Sequence, residues 1–419
     1  MDVSHTLSRL GIERKRELLA FLAGPPLAYA AARLFVSLYY GRRLGQDYIY
    51  RSPRRSLQLL DSKQRPDQLP YPQDALPGAR DVDTPYGNIR VYEWGPEDGR
   101  KVLFVHGIST PCIAFAGMAK KLVEEHGCRV MLFDLFGRGY SDCPDTTIYH
   151  QDLQLWTSQI LLVLTSSKLA WTGSERFTLV GYSMGGGIAA AFTSIFPELV
   201  GSLILVATAG LLRPDRIHWT SKLIYGGFMP NFVVDWLVSR RLRGGAPPIP
   251  QKGKETWKNK QAGPAKIAES EVPAPHPALT PNSSASLFPD RPGMSIAKAV
   301  AWQLDSHPGF LPAFISSIQH APISNQHERW KLIASRLNAQ RSSPDAATQA
   351  MGLKEGKVLI LLGKQDSVII SKEVEEDATA VLGKDNVDIV NLEGGHDVPV
   401  VNSTGCVEAM VKFFNSGKV

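Results

Sequence analysis

The sequence has only four cysteines in 419 residues, Cys112, Cys128, Cys143 and Cys406, and no two of them form a CxxC pair. That scarcity argues against a disulfide framework and against a cysteine-ligated metal site. A chain this long can bury a core without cross-links, so buried or free thiols are expected. Positive charge is also missing where a nucleic acid would need it. The chain carries 46 Lys and Arg against 40 Asp and Glu, a formal net of +6. Residues 1–55 hold ten Lys and Arg against four Asp and Glu, so the excess lies there and the remainder is neutral overall. No basic stripe is left for a nucleic-acid groove, and nucleic acid is not an expected partner. Internal repeats are absent. Hydrophobic content of 43% and charged content of 21% are those of a globular enzyme.

Apolar runs of membrane-spanning length are equally scarce. The one stretch is "LLAFLAGPPLAYAAARLFVSLYY", residues 18–40, about 23 residues and long enough to cross a bilayer. Arg14 to Arg16 precede it, and Arg42 and Arg43 follow it. Arg33 lies near its end and can snorkel outward, and Pro25 and Pro26 kink a helix in a way that membrane helices tolerate. The expectation is an N-terminal membrane anchor or interfacial helix over residues 1–50, with membrane lipid as a partner. The alternative is a soluble helix packed on the domain. No small-residue cleavage site follows cleanly, which disfavours a signal peptide. Basic residues on both sides leave the topology open.

Residues 51–80 are polar and rich in Pro and Arg, which predicts a linker. Beyond them, "GNIRVYEWG" alternates and reads as an antiparallel edge strand. "KVLFVHG", "RVMLFDLFG", "FTLVGYS", "SLILVATAG", "KVLILLG" and "VDIVNLEGG" are unbroken apolar runs that end in glycine or a polar turn. Such runs suit parallel strands buried on both faces, and helical patterns lie between them. The expected class is α/β, a mostly parallel sheet flanked by helices, with its core over 81–210 and 351–419. Residues 211–350 break the alternation and predict an inserted helical cap. Phe228, Phe232, Val233 and Trp236 form one amphipathic flank of it, and Trp302, Leu304, Phe310, Phe314 and Ile318 the other. The cap's centre, about 244–293, is rich in Pro, Ser and Lys, and its composition predicts disorder.

The stretch "FTLVGYSMGGGIAAAF" drives an apolar run into Gly181, Tyr182, Ser183, Met184 and Gly185. A serine on a sharp strand-to-helix turn needs small neighbours, because other chain segments pass close to it. The helix that follows points its N-terminus at the serine and favours developing negative charge. A serine is a weak nucleophile and needs a base with an orienting acid. Asp366 follows the "KVLILLG" strand and His396 follows the "VDIVNLEGG" strand. Ser183, Asp366 and His396 therefore stand in the chain order Ser, Asp, His at strand ends. Asp397 is the nearest competing acid, but it adjoins His396 and is poorly placed to reach the far ring nitrogen. The backbone N–H groups of Met184 and of Ile108, in the loop after "KVLFVHG", are the expected oxyanion-hole donors. His106 precedes that loop and is read as structural.

These motifs resemble the α/β-hydrolase superfamily, in the branch whose lid is inserted before the strand bearing the acid. "HGIST", "FDLFGRGYSD", "GYSMGGG", "LLGKQD" and "GGHDVP" occur in family order. "FDLFGRGYSD", with Asp134 and Ser141, is similar to the family's Asp-x-x-Gly-x-Gly-x-Ser turn, a structural element beside the site. Within the superfamily the sequence resembles monoacylglycerol-lipase-like and meta-cleavage-product hydrolases, and "SMGGG" is shared by both. Serine at the nucleophile position departs from epoxide hydrolases and haloalkane dehalogenases, which carry aspartate there. The resemblance implies a serine hydrolase cleaving a carboxylic ester, of a lipid-like acyl chain, through an acyl-enzyme. No metal or organic cofactor is implied. The alternatives are a carbon–carbon bond hydrolase on the same triad and a binding protein without turnover.

Overall fold

Six apolar runs become six parallel strands, five of them shielded from water on both faces and the sixth, Val387–Leu392, half-buried at the sheet edge. In the computed structural model they are β3 (Lys101–Val105), β4 (Arg129–Phe133), β5 (Phe177–Tyr182), β6 (Val200–Val206), β7 (Val358–Gly363) and β8 (Val387–Leu392). Two further strands, β1 (Ala79–Thr84) and β2 (Gly87–Trp94), complete an eight-stranded sheet of order 8-7-6-5-3-4-2-1. β2 pairs antiparallel with both of its neighbours, β1 and β4, and all other pairings in this sheet are parallel. The structure describes residues 28–34, 48–54, 71–173, 175–213, 224–225, 229–242, 285–288 and 294–416.

The chain divides into two compact units, Met1–Tyr48 and Ile49–Val419. In the first, residues 28–34 are helical and exposed. The rest of the 18–40 segment lies outside the described residues. Among the described residues no helix is long and apolar enough to cross a membrane.

The second unit begins earlier than the composition of 51–80 predicts. Ile49–Tyr50 pairs antiparallel with Cys143–Pro144. The Ser52 N–H donates to Asp142 Oδ1 at 2.7 Å, and Arg51 reaches the other oxygen at 3.0 Å. Residues 55–70 lie outside the described residues. The alternating strand β2 is also not the edge. β1, the polar sequence Ala-Arg-Asp-Val-Asp-Thr, covers it. β2 is consequently buried nearly throughout, and its polar side chains find partners. Glu93 takes Arg80 at 2.8 Å and Arg129 at 3.1 Å, while Asn88 donates to Asp83 at 2.9 Å. Period-two patterning here reflects paired charges rather than a wet face.

Two sets of helices pack on the sheet. One comprises α2 (Leu153–Thr165), α3 (Met184–Ile195), α7 (His327–Ser342) and α9 (Ser371–Leu382) side by side. The other pairs α1 (Ala116–Glu124) with the C-terminal α11 (Ser403–Ser416). Every residue of α3 from Met184 to Ser194 is buried, which its Gly and Ala composition permits. Helix α7, although it falls within 211–350, belongs to the first set and not to the cap.

The described cap consists of α4 (Asn231–Leu242), α5 (Ile296–Ser306) and α6 (Phe310–His320), packed on one another. Helix α4 buries Val234, Val238 and Leu242, one stripe at a spacing of four. Phe232 and Trp236, expected on the apolar side, are 74% and 54% exposed instead. Phe228 lies outside the described residues. Trp302, Phe310 and Phe314 are buried as their spacing predicts. Most of the 244–293 insert also lies outside the described residues. Residues 285–288, expected to be disordered, form a bridge between Ser286 and Ser295. There Phe288 packs on Tyr71, which meets Trp302 with ring centroids 5.7 Å apart. All four cysteines are buried and free. Cys143 sits beneath the start of α6, where its Cβ lies against Gly309.

Candidate active site

Ser183 sits between β5 and α3 with φ 52° and ψ −119°, a backbone conformation that a residue with a side chain adopts only under strain. Neighbouring chain holds it there. Its N–H donates to the Val206 carbonyl at 3.0 Å, and its own carbonyl accepts from Ala209 and Gly186 at 2.9 Å each. The glycines are needed for the reason the sequence suggests. A Cβ at Gly181 would overlap the Gly185 carbonyl, and a Cβ at Gly185 would overlap the carbonyls of Val105 and His106. Strand β3 and the elbow thus touch through bare backbone.

The sheet's parallel strand ends bring the predicted partners to this point. His396 Nε2 lies 3.0 Å from Ser183 Oγ, and His396 Nδ1 lies 2.9 Å from Asp366 Oδ2. The other carboxylate oxygen of Asp366 accepts the N–H groups of Val368 and Ile369, both at 2.8 Å. Those two bonds fix the carboxylate's rotation, so Oδ2 faces the imidazole. The Tyr182 ring packs against the imidazole at 5.3 Å between centroids. All three polar residues are buried. Asp397 does not take the acid's place: its carbonyl caps the short helix α10 (Val398–Val401), accepting from Val400 and Val401.

Ile108 and Met184 are both buried, on the β3 loop and on the first residue of α3. A residue at that helix position has no intrahelical carbonyl for its N–H. The close approach of Gly185 to Val105 and His106 makes the two loops neighbours. His106 Nε2 accepts from the Leu135 N–H at 2.9 Å, which leaves the ring proton on Nδ1 to meet the Gly107 carbonyl at 2.8 Å. Nε2 thus joins the β3 loop to the β4 loop, while Nδ1 is held within the β3 loop itself. Asp134, buried in the "FDLFGRGYSD" turn, accepts from Cys112 N and Tyr140 N at 3.0 and 2.9 Å. Burial raises its carboxyl pKa, and these bonds oppose the rise.

Among the described residues no group of three or more His, Cys, Asp or Glu side chains is placed to hold a metal ion. A family model for the alpha/beta hydrolase fold matches residues 101–233, from β3 through the elbow to the start of the cap. The chain has the α/β-hydrolase fold. It is similar to a serine hydrolase-like protein of Danio rerio, 33% identical over 135 residues. That match covers 32% of this chain and 39% of the Danio protein. Serine hydrolase-like protein 2 of Homo sapiens is 32% identical over 135 residues, covering 32% of this chain and 40% of its own length. The chain therefore spans about two fifths of the length of these curated relatives. Among solved structures, a carboxylesterase structure from Nitrososphaera gargenis superposes with a TM-score of 0.51 at 14% identity, covering 81% of this chain and 99% of that one. A thermophilic esterase from Thermogutta terrifontis gives 0.50 at 17% identity, covering 81% and 99%. At such identities the likeness is one of fold.

Three buried polar side chains beside the site escape sequence reasoning: Arg138, Gln303 and His307. Arg138 Nε donates to the Ile108 carbonyl at 3.0 Å. Gln303, on α5, donates to the Ser109 carbonyl at 2.9 Å and accepts from Gly139 N at 2.8 Å. His307, at the end of α5, meets the Ser141 carbonyl through Nε2 at 2.8 Å and accepts from Gly309 N at 3.1 Å. Burial pushes its pKa down to about 4. Each looks like an ordinary polar residue in the sequence, because its partners lie far along the chain.

Proposed function

We propose that this protein is a serine hydrolase that cleaves carboxylic esters carrying a lipid-like acyl chain. One observation carries the reading: the unbroken chain of contacts from Ser183 Oγ to His396 Nε2 and from His396 Nδ1 to Asp366. In this mechanism Ser183 Oγ attacks the ester carbonyl carbon as its proton passes to His396 Nε2. Asp366 holds the imidazole in the required tautomer and stabilises its cation. The backbone N–H groups of Ile108 and Met184 receive the oxyanion of the tetrahedral intermediate. The carbon–oxygen bond to the alcohol breaks, and the alcohol leaves with the proton from His396. Water, deprotonated by His396, then attacks the acyl-enzyme, and the acid departs as Ser183 regains its proton.

The apolar cap side chains and the neutral domain favour an uncharged acyl chain over a dienoate, whose carboxylate would need a cation with donors to spare, whereas the buried Arg138 gives its donors to Ile108, Phe136, Gln151, Ala313 and Ser317. Residues 18–40 and their arginine flanks support membrane association of the full chain. The test is labelling by a fluorophosphonate probe followed by an ester panel and a ring-fission dienoate. Labelling and ester hydrolysis that both vanish in Ser183→Ala are expected. Ester hydrolysis persisting in a folded Ser183→Ala protein would overturn the reading, and preference for the dienoate would replace it with carbon–carbon hydrolysis.

A further inference from the structure

The cap helices α5 and α6 do not merely lie over the sheet: buried polar side chains tie them to the two loops beside Ser183. Arg138 is fully buried and spreads its donors over both partners. On the core side it takes the carbonyls of Ile108 and Phe136 at 3.0 and 2.9 Å and Gln151 Oε1 at 3.0 Å. On the cap side it takes Ser317 Oγ at 2.6 Å and the Ala313 carbonyl at 3.4 Å. Gln303 repeats the connection from α5, through the Ser109 carbonyl and the Gly139 N–H. Ser316 accepts the Gln151 N–H at 3.0 Å.

Consecutive carbonyls of the β3 loop, those of Ile108 and Ser109, are therefore gripped by groups that are bonded to, or belong to, the cap. A buried polar group that loses its partner costs far more than an exposed one. If α5 and α6 lift, Arg138 and Gln303 each lose partners, and the loop loses what holds it. We propose that Arg138 and Gln303 are positioning residues that couple seating of the α5–α6 part of the cap to the loop bearing Ile108. That loop then reaches its working geometry only when these helices are down, so the cap governs turnover and not substrate capture alone. The proposal rests on the ester-hydrolase reading for its kinetic half and on hydrogen bonding alone for its structural half.

The experiment uses the full chain and the variants Gln303→Leu, Ser317→Ala and Arg138→Lys. The last keeps the charge but not the planar fork of donors. Amide hydrogen exchange reads the loop directly. Exchange across 107–112 and 136–142 is expected to quicken about tenfold or more in Gln303→Leu and Ser317→Ala, with strands β5 to β7 unchanged. With p-nitrophenyl butyrate, kcat is expected to fall about tenfold to a hundredfold in Gln303→Leu and Arg138→Lys, with KM within about twofold. That loss is smaller than deleting an oxyanion donor outright would give. Ser317→Ala, the mildest change, should lose a few-fold in kcat. Unchanged loop exchange in folded Gln303→Leu and Ser317→Ala overturns the coupling, whatever the kinetics. So does quickened exchange with an unaltered kcat, or a loss confined to KM. Quickened exchange in an enzyme whose unmodified form hydrolyses no ester would sustain the structural coupling and sink the ester reading instead.

Discussion

The N–H of Ser183 donates to the carbonyl of Val206 at 3.0 Å, so the strained serine is stitched to the next strand and cannot relax. Its φ of 52° is a conformation that glycine adopts freely and alanine does not. Strain of this kind costs about 1–3 kcal/mol, partly offset by the greater freedom of glycine in the unfolded chain. Ser183→Gly is therefore expected to be more stable than Ser183→Ala by about 1 kcal/mol, with both variants inactive. Urea titrations of the two check it. An alanine variant equal to or above the glycine variant would mean the turn stores no strain.

Asp366→Asn is expected to leave the fold intact and to lower kcat by about a thousandfold to ten-thousandfold. The Val368 and Ile369 N–H groups require an oxygen at the position of Oδ1. The asparagine NH2 must then face His396 Nδ1, which forces the ring proton onto Nε2, where it blocks acceptance from Ser183. Kinetics beside circular dichroism decide the matter, and a loss below tenfold would show that Asp366 does not set the tautomer.

His307 predicts how stability changes with pH. Burial lowers its pKa from 6.5 unfolded to about 4 folded. Between those values the unfolded chain binds the extra proton, so stability rises with pH through the window. The contribution is complete above the unfolded pKa and is lost as pH falls towards 4. The shift corresponds to about 3 kcal/mol. His307→Gln should flatten the slope of unfolding free energy between pH 4 and 6.5 by most of that amount. Parallel slopes in the two proteins would count against a neutral buried imidazole.

Acyl-chain preference tests the substrate class. Each methylene that enters an apolar pocket contributes up to about 0.8 kcal/mol, or roughly fourfold in kcat/KM. The ratio is expected to climb from acetyl to medium-chain esters. A preference for acetyl would sink the lipid-like reading.

Membrane attachment is tested separately. The full chain is expected to stay with membranes through an alkaline carbonate wash if residues 18–40 span, and to be released if they lie at the interface. A chain starting at Tyr48 should not sediment with vesicles. Sedimentation of that shorter chain would place the attachment elsewhere.

The sequence was most readable where one structural cause dominates. Strands buried on both faces announce themselves as apolar runs, and an elbow that must be bare announces itself as glycine around one serine. Asp366 and His396 are legible because parallel strands end on the same edge of the sheet. Strand β1 was hidden, because Arg80 and Asp81 are satisfied by charges on β2 and by Arg54 rather than by water. On α4 the pattern of large side chains pointed to the wrong face: the smaller Val234 and Val238 are buried and Trp236 is not. The ties of Arg138 to α6 join residues more than 170 positions apart, and such contacts leave no local periodicity to read.

The buried cysteines turn the native protein into its own opening gauge. Burial raises the pKa of all four thiols, Cys143 and Cys406 to about 12, so few thiolates are available to react at neutral pH. A maleimide in solution must wait for the structure to expose them. Cys143 waits beneath the start of α6, while Cys406 waits inside the helix that closes the far end of the chain. Alkylation at Cys143 therefore counts departures of α6 or of the Ile49–Tyr50 strand paired with Cys143–Pro144, and alkylation at Cys406 counts openings of the core. The ratio of the two rates separates a breathing lid from an unfolding enzyme without any added label.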